Sequence, residues 1–233
     1  MTVFLDSPSR AAESFWAAVT GSALSARRGP EGEFATLLPD DGDAYVRVQV
    51  VGSPPPRTHL DLHVADVPAA AGVSVALGAR TVHSQDGLIV ARSPAGLLFC
   101  LVGWHAQAQA RVPAAVRWPG GWSSRVDQVC VDVAGDAYDD EVGFWEDLTG
   151  WQRRATKLPE FDYLRRPRGM PLRLLFQRLG SGPARMHVDF ACSDVDAEVA
   201  RHVGLGASVV RRVPDDWTTL RDPVGREYCV TAR

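Results

Sequence analysis

The chain has 233 residues, enough for one large domain or for two domains of roughly 115 residues each. Hydrophobic residues make up 45% and charged residues 23%, an ordinary composition for a globular protein with a sizeable core. A net charge of −3 gives no reason to expect a nucleic-acid or membrane partner, and no apolar stretch approaches the ~18 residues of a membrane span.

The four cysteines predict a reduced, cytoplasmic protein. Cys100, Cys130, Cys192 and Cys229 have no CxxC spacing, and we interpret them as reduced thiols. The first residues carry no basic region ahead of an apolar run, unlike a signal peptide.

The first elements along the chain are a short strand and a helix. Val3–Asp6 has the pattern of a strand, and Ser7-Pro8 predicts a helix start because serine caps helices and proline is tolerated in the first turn. The apolar face of this helix has the spacing i, i+3, i+4 and i+7, and consists of Ala12, Phe15, Trp16 and Val19. Gly21 predicts its end.

The next segments predict two βαβββ units in the first hundred residues. Strands are expected at 33–38, 44–51 and 58–64, a helix at 66–77 capped by Asp66 and stopped by Gly78, and strands near 80–83, 87–92 and 97–102. This plan gives about eight strands and two helices, an α+β fold with short loops.

The same plan recurs in the second half of the chain, at a nearly constant offset. Four blocks match in the same order: Phe15-Trp16-x3-Thr20-Gly21 with Phe144-Trp145-x3-Thr149-Gly150, His59-x-Asp61 with His187-x-Asp189, Leu77-Gly78-Ala79 with Leu205-Gly206-Ala207, and Arg92-x-Pro94-x-Gly96-x3-Cys100 with Arg221-x-Pro223-x-Gly225-x3-Cys229. Proline and glycine between the copies predict a linker at 104–123. The expected domains are therefore 1–103 and 124–233.

Alternation along the strands of the second copy predicts unusually polar faces. Gln128 and Cys130 share a face opposite valines, and His187 and Asp189 share a face opposite Met186, Val188 and Phe190. Such faces either line a cup that binds a small molecule or simply meet solvent.

The four repeated blocks resemble the vicinal oxygen chelate superfamily, which contains glyoxalase I and the bleomycin-resistance proteins. The resemblance covers nearly all of both copies and implies two tandem glyoxalase-like domains, each an eight-stranded open cup. In metal-bearing relatives a divalent ion is held by a His or Gln of the first strand, a His of the fifth and a Glu of the last. Carried over, the second copy offers Gln128, His187 and Cys229, with Glu227 two residues away, whereas the first offers Thr2, His59 and Cys100.

These positions predict a binding protein, monomeric or homodimeric, that holds a small organic molecule in the second cup without strictly requiring a metal. The expected ligand-binding residues are Gln128, His187, Asp189, Glu227, Cys229, Phe161 and Tyr163, and the equivalent set of the first copy is Thr2, His59, Asp61 and Cys100. The alternative is a lyase, isomerase or dioxygenase that uses Zn, Ni, Mn or Fe on Gln128, His187 and Glu227. In a third interpretation the first copy only supports the second. Catalytic residues stay unassigned.

Overall fold

The computed structural model describes residues 1–104 and 111–233. The first copy contains two helices, α1 (Glu13–Thr20) and α2 (Val67–Ala76), and eight strands: β1 (Thr2–Ser7), β2 (Ala23–Leu24), β3 (Phe34–Leu38), β4 (Val46–Val50), β5 (Arg57–Val64), β6 (Arg80–Gln85), β7 (Leu88–Arg92) and β8 (Leu98–Gly103). These strands form one sheet in the order β2-β3-β4-β1-β5-β8-β7-β6.

The second copy repeats this arrangement with helices α3 (Tyr138–Thr149) and α4 (Val195–Gly204). Its strands are β9 (Val116–Arg117), β10 (Ser123–Ala134), β11 (Gln152–Ala155), β12 (Phe161–Arg165), β13 (Arg173–Leu179), β14 (Arg185–Cys192), β15 (Ser208–Val213), β16 (Trp217–Arg221) and β17 (Glu227–Ala232). They follow the order β11-β12-β13-β10-β14-β17-β16-β15, and β9 pairs with β10 off this path. The predicted α+β class, with one open sheet of mixed strand direction per copy, is confirmed.

The packing divides the chain into two compact units that each draw on both copies. Unit 1 consists of Met1–Val3, His59–Gln109 and Val129–Met186, and unit 2 of Phe4–Thr58, Ala110–Gln128 and His187–Arg233. The division into domains 1–103 and 124–233 stays a prediction, because each sheet follows one copy whereas each unit combines segments of both. The described part of the expected linker also contains the two-residue strand β9.

Each unit has its own aromatic core. In unit 1, Phe99 packs against Phe144 and Trp145 with ring centroids 5.7 and 5.4 Å apart. In unit 2, the Trp16 ring lies 5.1 Å from Tyr228 and stacks on Phe190 at 6.4 Å. The aromatic residues of the repeated Phe-Trp motif are therefore core residues, as their helical spacing predicts.

The helix ends follow local sequence signals, with one exception. Gly21 and Gly150 end α1 and α3 in the left-handed conformation, and Asp66 and Asp194 cap α2 and α4 by accepting a backbone N–H. The predicted start of α1 at Ser7-Pro8 is wrong. The backbone carbonyl of Ser7 instead accepts a bond from Val51 N, so β1 runs through Ser7.

Helical structure begins only after this strand ends. Ser9 caps a short 3-10 turn by accepting from Ala11 N, and α1 follows at Glu13. Among the described residues no helix is both long and apolar enough to cross a membrane.

Candidate functional site

Most polar side chains on the strand faces singled out in the second copy are buried. Gln128 is fully buried, and Cys130, Asp132 and Asp189 are at most 3% exposed. Burying amide, thiol and carboxylate groups is costly unless they are paired or meet a ligand. For these four residues, the alternative in which the faces simply contact solvent is therefore excluded.

Four predicted site residues of the second copy lie together in unit 2, and we call them the second-copy cluster: Gln128, His187, Asp189 and Cys229. Strands β14 and β17 run parallel, with Asp189 and Cys229 as register partners. Neighbouring strands are about 4.8 Å apart, so this register places the carboxyl and the thiol side by side. His187 precedes Asp189 by two residues and shares its face.

The polar contacts of the second-copy cluster converge on His187 and Asp189. The amide Nε2 of Gln128 donates to Asp189 Oδ2. The other carboxylate oxygen, Asp189 Oδ1, lies 3.3 Å from His187 Nε2 but has no hydrogen-bond partner, and Cys229 Sγ lies 3.6 Å from the same His187 nitrogen. The thiol also lies 3.5 Å from Thr219 Oγ1, a cross-strand neighbour on β16 that the sequence did not single out.

This geometry does not suit a nucleophilic Cys-His-Asp triad. In such a triad the base uses one ring nitrogen for the nucleophile and the other for the orienting carboxylate. Here Asp189 and Cys229 both approach His187 Nε2. The arrangement can instead receive a hydrogen-bond donor or a cation between the three groups.

The remaining predicted residues of the second copy lie elsewhere on its strands. Glu227, at the start of β17, pairs with Arg221 at 2.8 Å. Phe161 is buried on β12, and the half-buried Tyr163 ring has the Arg173 guanidinium 5.2 Å from its centroid. On β17, Cys229 Sγ lies 3.6 Å from His187 Nε2.

The first copy contains a corresponding set in unit 1, which we call the first-copy trio: His59, Asp61 and Cys100. Asp61 and Cys100 are register partners of the parallel strands β5 and β8, as their counterparts are in the second copy. His59 Nε2 lies 3.5 Å from Asp61 Oδ1. Burial raises the pKa of the Cys100 thiol, although the hydrogen bond with His59 acts in the opposite direction. Thr2, the fourth predicted residue, is 3.2 Å from His63 Nε2.

A divalent ion in these cups is implied by the resemblance, and the donor sets fit only some ions. In both copies an imidazole and a thiol lie near a carboxylate, one oxygen of which is buried without a hydrogen-bond partner. Thiolate selects zinc and softer ions, whereas the glutamate expected for harder ions is replaced by cysteine. A zinc-type ion fits the residues present better than a hard ion does.

Comparison with known proteins assigns the same architecture. A family model described as "Glyoxalase-like domain" matches residues 2–102 and 128–231. No curated protein sequence matches the chain significantly.

Solved structures resemble the chain at low sequence identity. Homoprotocatechuate 2,3-dioxygenase from Brevibacterium fuscum, as a variant, has a TM-score of 0.65 and 14% identity, over all of this chain and 70% of that one. A 2,2',3-trihydroxybiphenyl 1,2-dioxygenase from Sphingomonas wittichii has a TM-score of 0.64 and 16% identity, and the match covers 100% of this chain and 89% of the dioxygenase chain.

A third match shows how much longer such proteins can be. This match is a fusion of a xylose isomerase-like TIM barrel with 4-hydroxyphenylpyruvate dioxygenase, with a TM-score of 0.58 and 16% identity. It covers 99% of this chain but only 48% of the length of the fusion protein. At these identities the likeness concerns the fold.

Proposed function

Because the chain belongs to the glyoxalase-like domain family, we propose that its second copy binds a small hydroxylated organic molecule against the second-copy cluster, with no strict need for a metal. One observation carries the proposal. Asp189 Oδ1 is buried, lies beside His187 and has no hydrogen-bond partner. A buried acceptor left unpaired costs about 1–3 kcal/mol, which a ligand O–H group recovers by donating to it.

The other groups of the cluster define the chemistry of this ligand. Gln128 holds the second oxygen of Asp189, so the carboxylate is fixed before a ligand arrives. A carboxylate accepts hydrogen bonds and repels anions, which favours a neutral ligand with hydroxyl groups over a ligand bearing a carboxylate. Hydroxylated aromatic compounds without a carboxylate fit this description, and the name of one similar dioxygenase refers to such a compound, 2,2',3-trihydroxybiphenyl.

The test uses catechol as the probe and the full chain after chelator treatment. Calorimetric titration should show saturable binding to the wild type and at least tenfold weaker binding to Asp189→Asn, because an amide cannot replace the charged acceptor. Asp127→Asn is the matched control, since Asp127 is a buried β10 carboxylate paired with Arg233 outside the cluster. Its affinity should equal that of the wild type.

Two results would overturn the proposal. Catechol and its monohydroxylated analogue phenol could both fail to bind the folded wild type, or the two variants could weaken binding equally. Melting curves of each variant establish that the proteins compared are folded.

A metal-dependent lyase, isomerase or dioxygenase is the second candidate. It is favoured by the proximity of an imidazole, a carboxylate and a thiol in the second-copy cluster. His187, Asp189 and Cys229 would hold the ion, which would polarise a substrate oxygen as a Lewis acid. Elemental analysis of the purified chain, together with conversion of catechol after reloading with Zn²⁺ or Fe²⁺, distinguishes this activity from metal-free binding. Conversion only in reloaded protein would favour the enzyme.

A further inference from the structure

We infer that unit 2 carries a binding site for a small monocarboxylate with a short apolar tail, in a pocket beside the described part of the expected linker. The pocket is partly open and has a cavity volume of about 40 Å³. Its walls come from the end of α1, from β3 and β4, from residues 113–116 and from the start of β10. All of these segments belong to unit 2, and no residue of the second-copy cluster is among the described residues that line the pocket.

Apolar side chains supply most of the lining. Leu37, Val46 and Val126 are at most 5% exposed and form its inner part. The hydroxyl of Thr20, at the end of α1, already donates to the carbonyl of Trp16 at 2.7 Å. This lining therefore favours an apolar group, which gains free energy by leaving water.

Hydrogen bonds join the segments around the pocket. Asp43 N donates to Arg111 O and Arg111 N donates to Asp43 Oδ2, both at 2.8 Å, and the Arg111 guanidinium also pairs with Asp41. The hydroxyl of Tyr45 donates to the carbonyl of Val126, which ties β4 to β10. The pocket is thus formed before a ligand arrives, so little ordering opposes binding.

Arg125 determines which ligand fits. Of the described residues that line the pocket, it alone is charged. Its half-buried guanidinium donates one long hydrogen bond, 3.4 Å from Nη1 to Pro113 O, and forms no ion pair within the described part of the chain. The nearby acidic side chains Asp41 and Asp43 are bonded to Arg111 instead. Since the planar fork of N–H donors in arginine matches a carboxylate, a ligand carboxylate is the group that completes this site.

The volume of the pocket limits the apolar tail. A water molecule needs roughly 10–15 Å³ of cavity, so about 40 Å³ accommodates roughly three groups of that size. The propyl tail of butyrate matches this space, whereas acetate leaves most of it empty. Each buried methylene strengthens binding about fourfold, so acetate should bind about tenfold more weakly than butyrate.

The test titrates the full chain with sodium butyrate at constant ionic strength and follows the backbone amide signals by NMR. Saturable shifts are expected at Val116 and Val126. Arg125→Gln should weaken butyrate binding at least tenfold, because it removes the charge that pairs with the carboxylate. Arg117→Gln is the matched control, since Arg117 is an exposed arginine on β9 outside the lining, and its affinity should equal that of the wild type.

A second variant tests the cavity without changing the charge. Ala114 lines the pocket and is exposed, so Ala114→Leu should leave the fold intact, fill part of the space and weaken butyrate binding at least fivefold. Unchanged affinity in folded Ala114→Leu would show that butyrate does not enter the pocket.

Three further outcomes would overturn the assignment. Butyrate could produce no saturable shifts in the folded wild type, Arg125→Gln and Arg117→Gln could weaken binding equally, or uncharged butyramide could bind as tightly as butyrate. Catechol titration of Arg125→Gln separates this site from the second-copy cluster, because that variant should bind catechol like the wild type. A failure of butyrate binding would thus leave the proposed function untouched.

Discussion

Unit 1 and unit 2 both place a buried carboxylate beside a buried tryptophan, but the carboxylate comes from a different element in each unit. Each unit buries the tryptophan of the repeated Phe-Trp motif, and each indole N–H donates to a buried carboxylate. In unit 2 the acceptor of Trp16 is Asp222, in the loop before β17, at 2.8 Å. In unit 1 the acceptor of Trp145 is Glu141, one helical turn earlier on α3, at 2.7 Å.

The second partner of each carboxylate lies at the same position of the repeated Pro-x-Gly turn. Val224 N donates to Asp222 in unit 2, and its repeat equivalent, Ala95 N, donates to Glu141 in unit 1. In both units a carboxylate thus lies between the indole and the Pro-x-Gly turn. The residues that supply it, Glu141 in unit 1 and Asp222 in unit 2, are not at equivalent positions of the repeat. What the repeat preserves is the hydrogen-bonded acceptor and not the residue that carries it.

The carboxylates differ in their charge partners. Asp222 lies 3.5 Å from the guanidinium of Arg226, which is 3% exposed and donates to Asp6 O and Ser7 Oγ. The repeat equivalent of Arg226 in unit 1 is Leu97, so the contacts found for Glu141 come from neutral donors. Burial accordingly raises the pKa of Glu141, against the opposing hydrogen bonds.

The largest expected effect comes from removing Asp222. Asp222→Ala leaves the Trp16 indole unpaired and takes from the buried Arg226 a carboxylate 3.5 Å from its guanidinium, so we expect a loss of about 3–5 kcal/mol in the free energy of unfolding. Denaturant titration followed by tryptophan fluorescence measures it. Asp216→Ala, in an exposed turn, is the control. A loss below that of Glu141→Ala would contradict the view that the buried arginine makes this carboxylate the more important one.

Removing Glu141 should cost less, about 2 kcal/mol, because only neutral donors, those of Ser93, Ala95 and Trp145, lose their acceptor and no buried cation is involved.

The comparison also predicts a rescue. Ser93, the repeat equivalent of Asp222, already accepts from Leu97 N, just as Asp222 accepts from Arg226 N. Ser93→Asp in the Glu141→Ala background should therefore rebuild the acceptor of unit 2 and recover at least half of the loss in chemical denaturation. A double variant as unstable as Glu141→Ala would show that the two carboxylates are not equivalent.

The sequence predicted the elements of both copies, but not that the carboxylate beside the tryptophan comes from α3 in unit 1 and from the loop before β17 in unit 2. We call this difference the exchange. The spacing of Phe15, Trp16 and Val19 predicts the buried face of α1, and Gly21 predicts its end, since both signals are local. The exchange depends on tertiary contacts between a helix and a turn that are distant in sequence. A signal for it existed, because aligning the copies places Asp222 opposite Ser93 and Glu141 opposite Ala12.

The candidate site could also be predicted only in part: its residues could be named from the sequence, but not their spatial arrangement. Alternation places His187 and Asp189 on one face of β14, and the family resemblance already predicts Cys229 as a site residue. The structure adds the parallel register with β17 that places Cys229 beside Asp189. That register is set by pairing between non-adjacent strands and has no local signature. For the same reason the sequence could not show that the Cys229 thiol lies 3.6 Å from His187 Nε2.

Opposite pH responses should separate the two units further. Burial opposes ionisation of Glu198 in unit 2, but hydrogen bonds from His202, Arg201, Ser124 and Trp122 hold its pKa well below the usual range. Its contribution to stability is therefore present above the unfolded pKa of about 4.3 and is lost as the pH falls below it. The raised pKa of Glu141 has the reverse sign, because its contribution is lost as the pH rises from about 4.3 through the folded pKa.

Melting temperatures of Glu198→Gln and Glu141→Gln between about pH 3.5 and 7 test this difference. Relative to the wild type, Glu198→Gln should be most destabilised near neutrality, and Glu141→Gln most destabilised in acid. Parallel curves for the two variants would contradict the assigned directions of the two pKa values.

The smallest expected effect concerns one hydroxyl group that only unit 2 possesses. Tyr228 is fully buried, and its hydroxyl lies 3.0 Å from His202 Nδ1, whereas the repeat equivalents in unit 1 are Phe99 and Ser74, and Ser74 Oγ donates to Ala71 O. Tyr228→Phe should cost about 1 kcal/mol in unfolding free energy, since it removes one buried hydrogen bond and little volume. Phe99→Tyr should also be destabilising, because it buries a hydroxyl where no imidazole is available. A stabilising Phe99→Tyr substitution in the same denaturation assay would show that unit 1 can accommodate the polar core of unit 2, and that the difference between the two units is not enforced by packing.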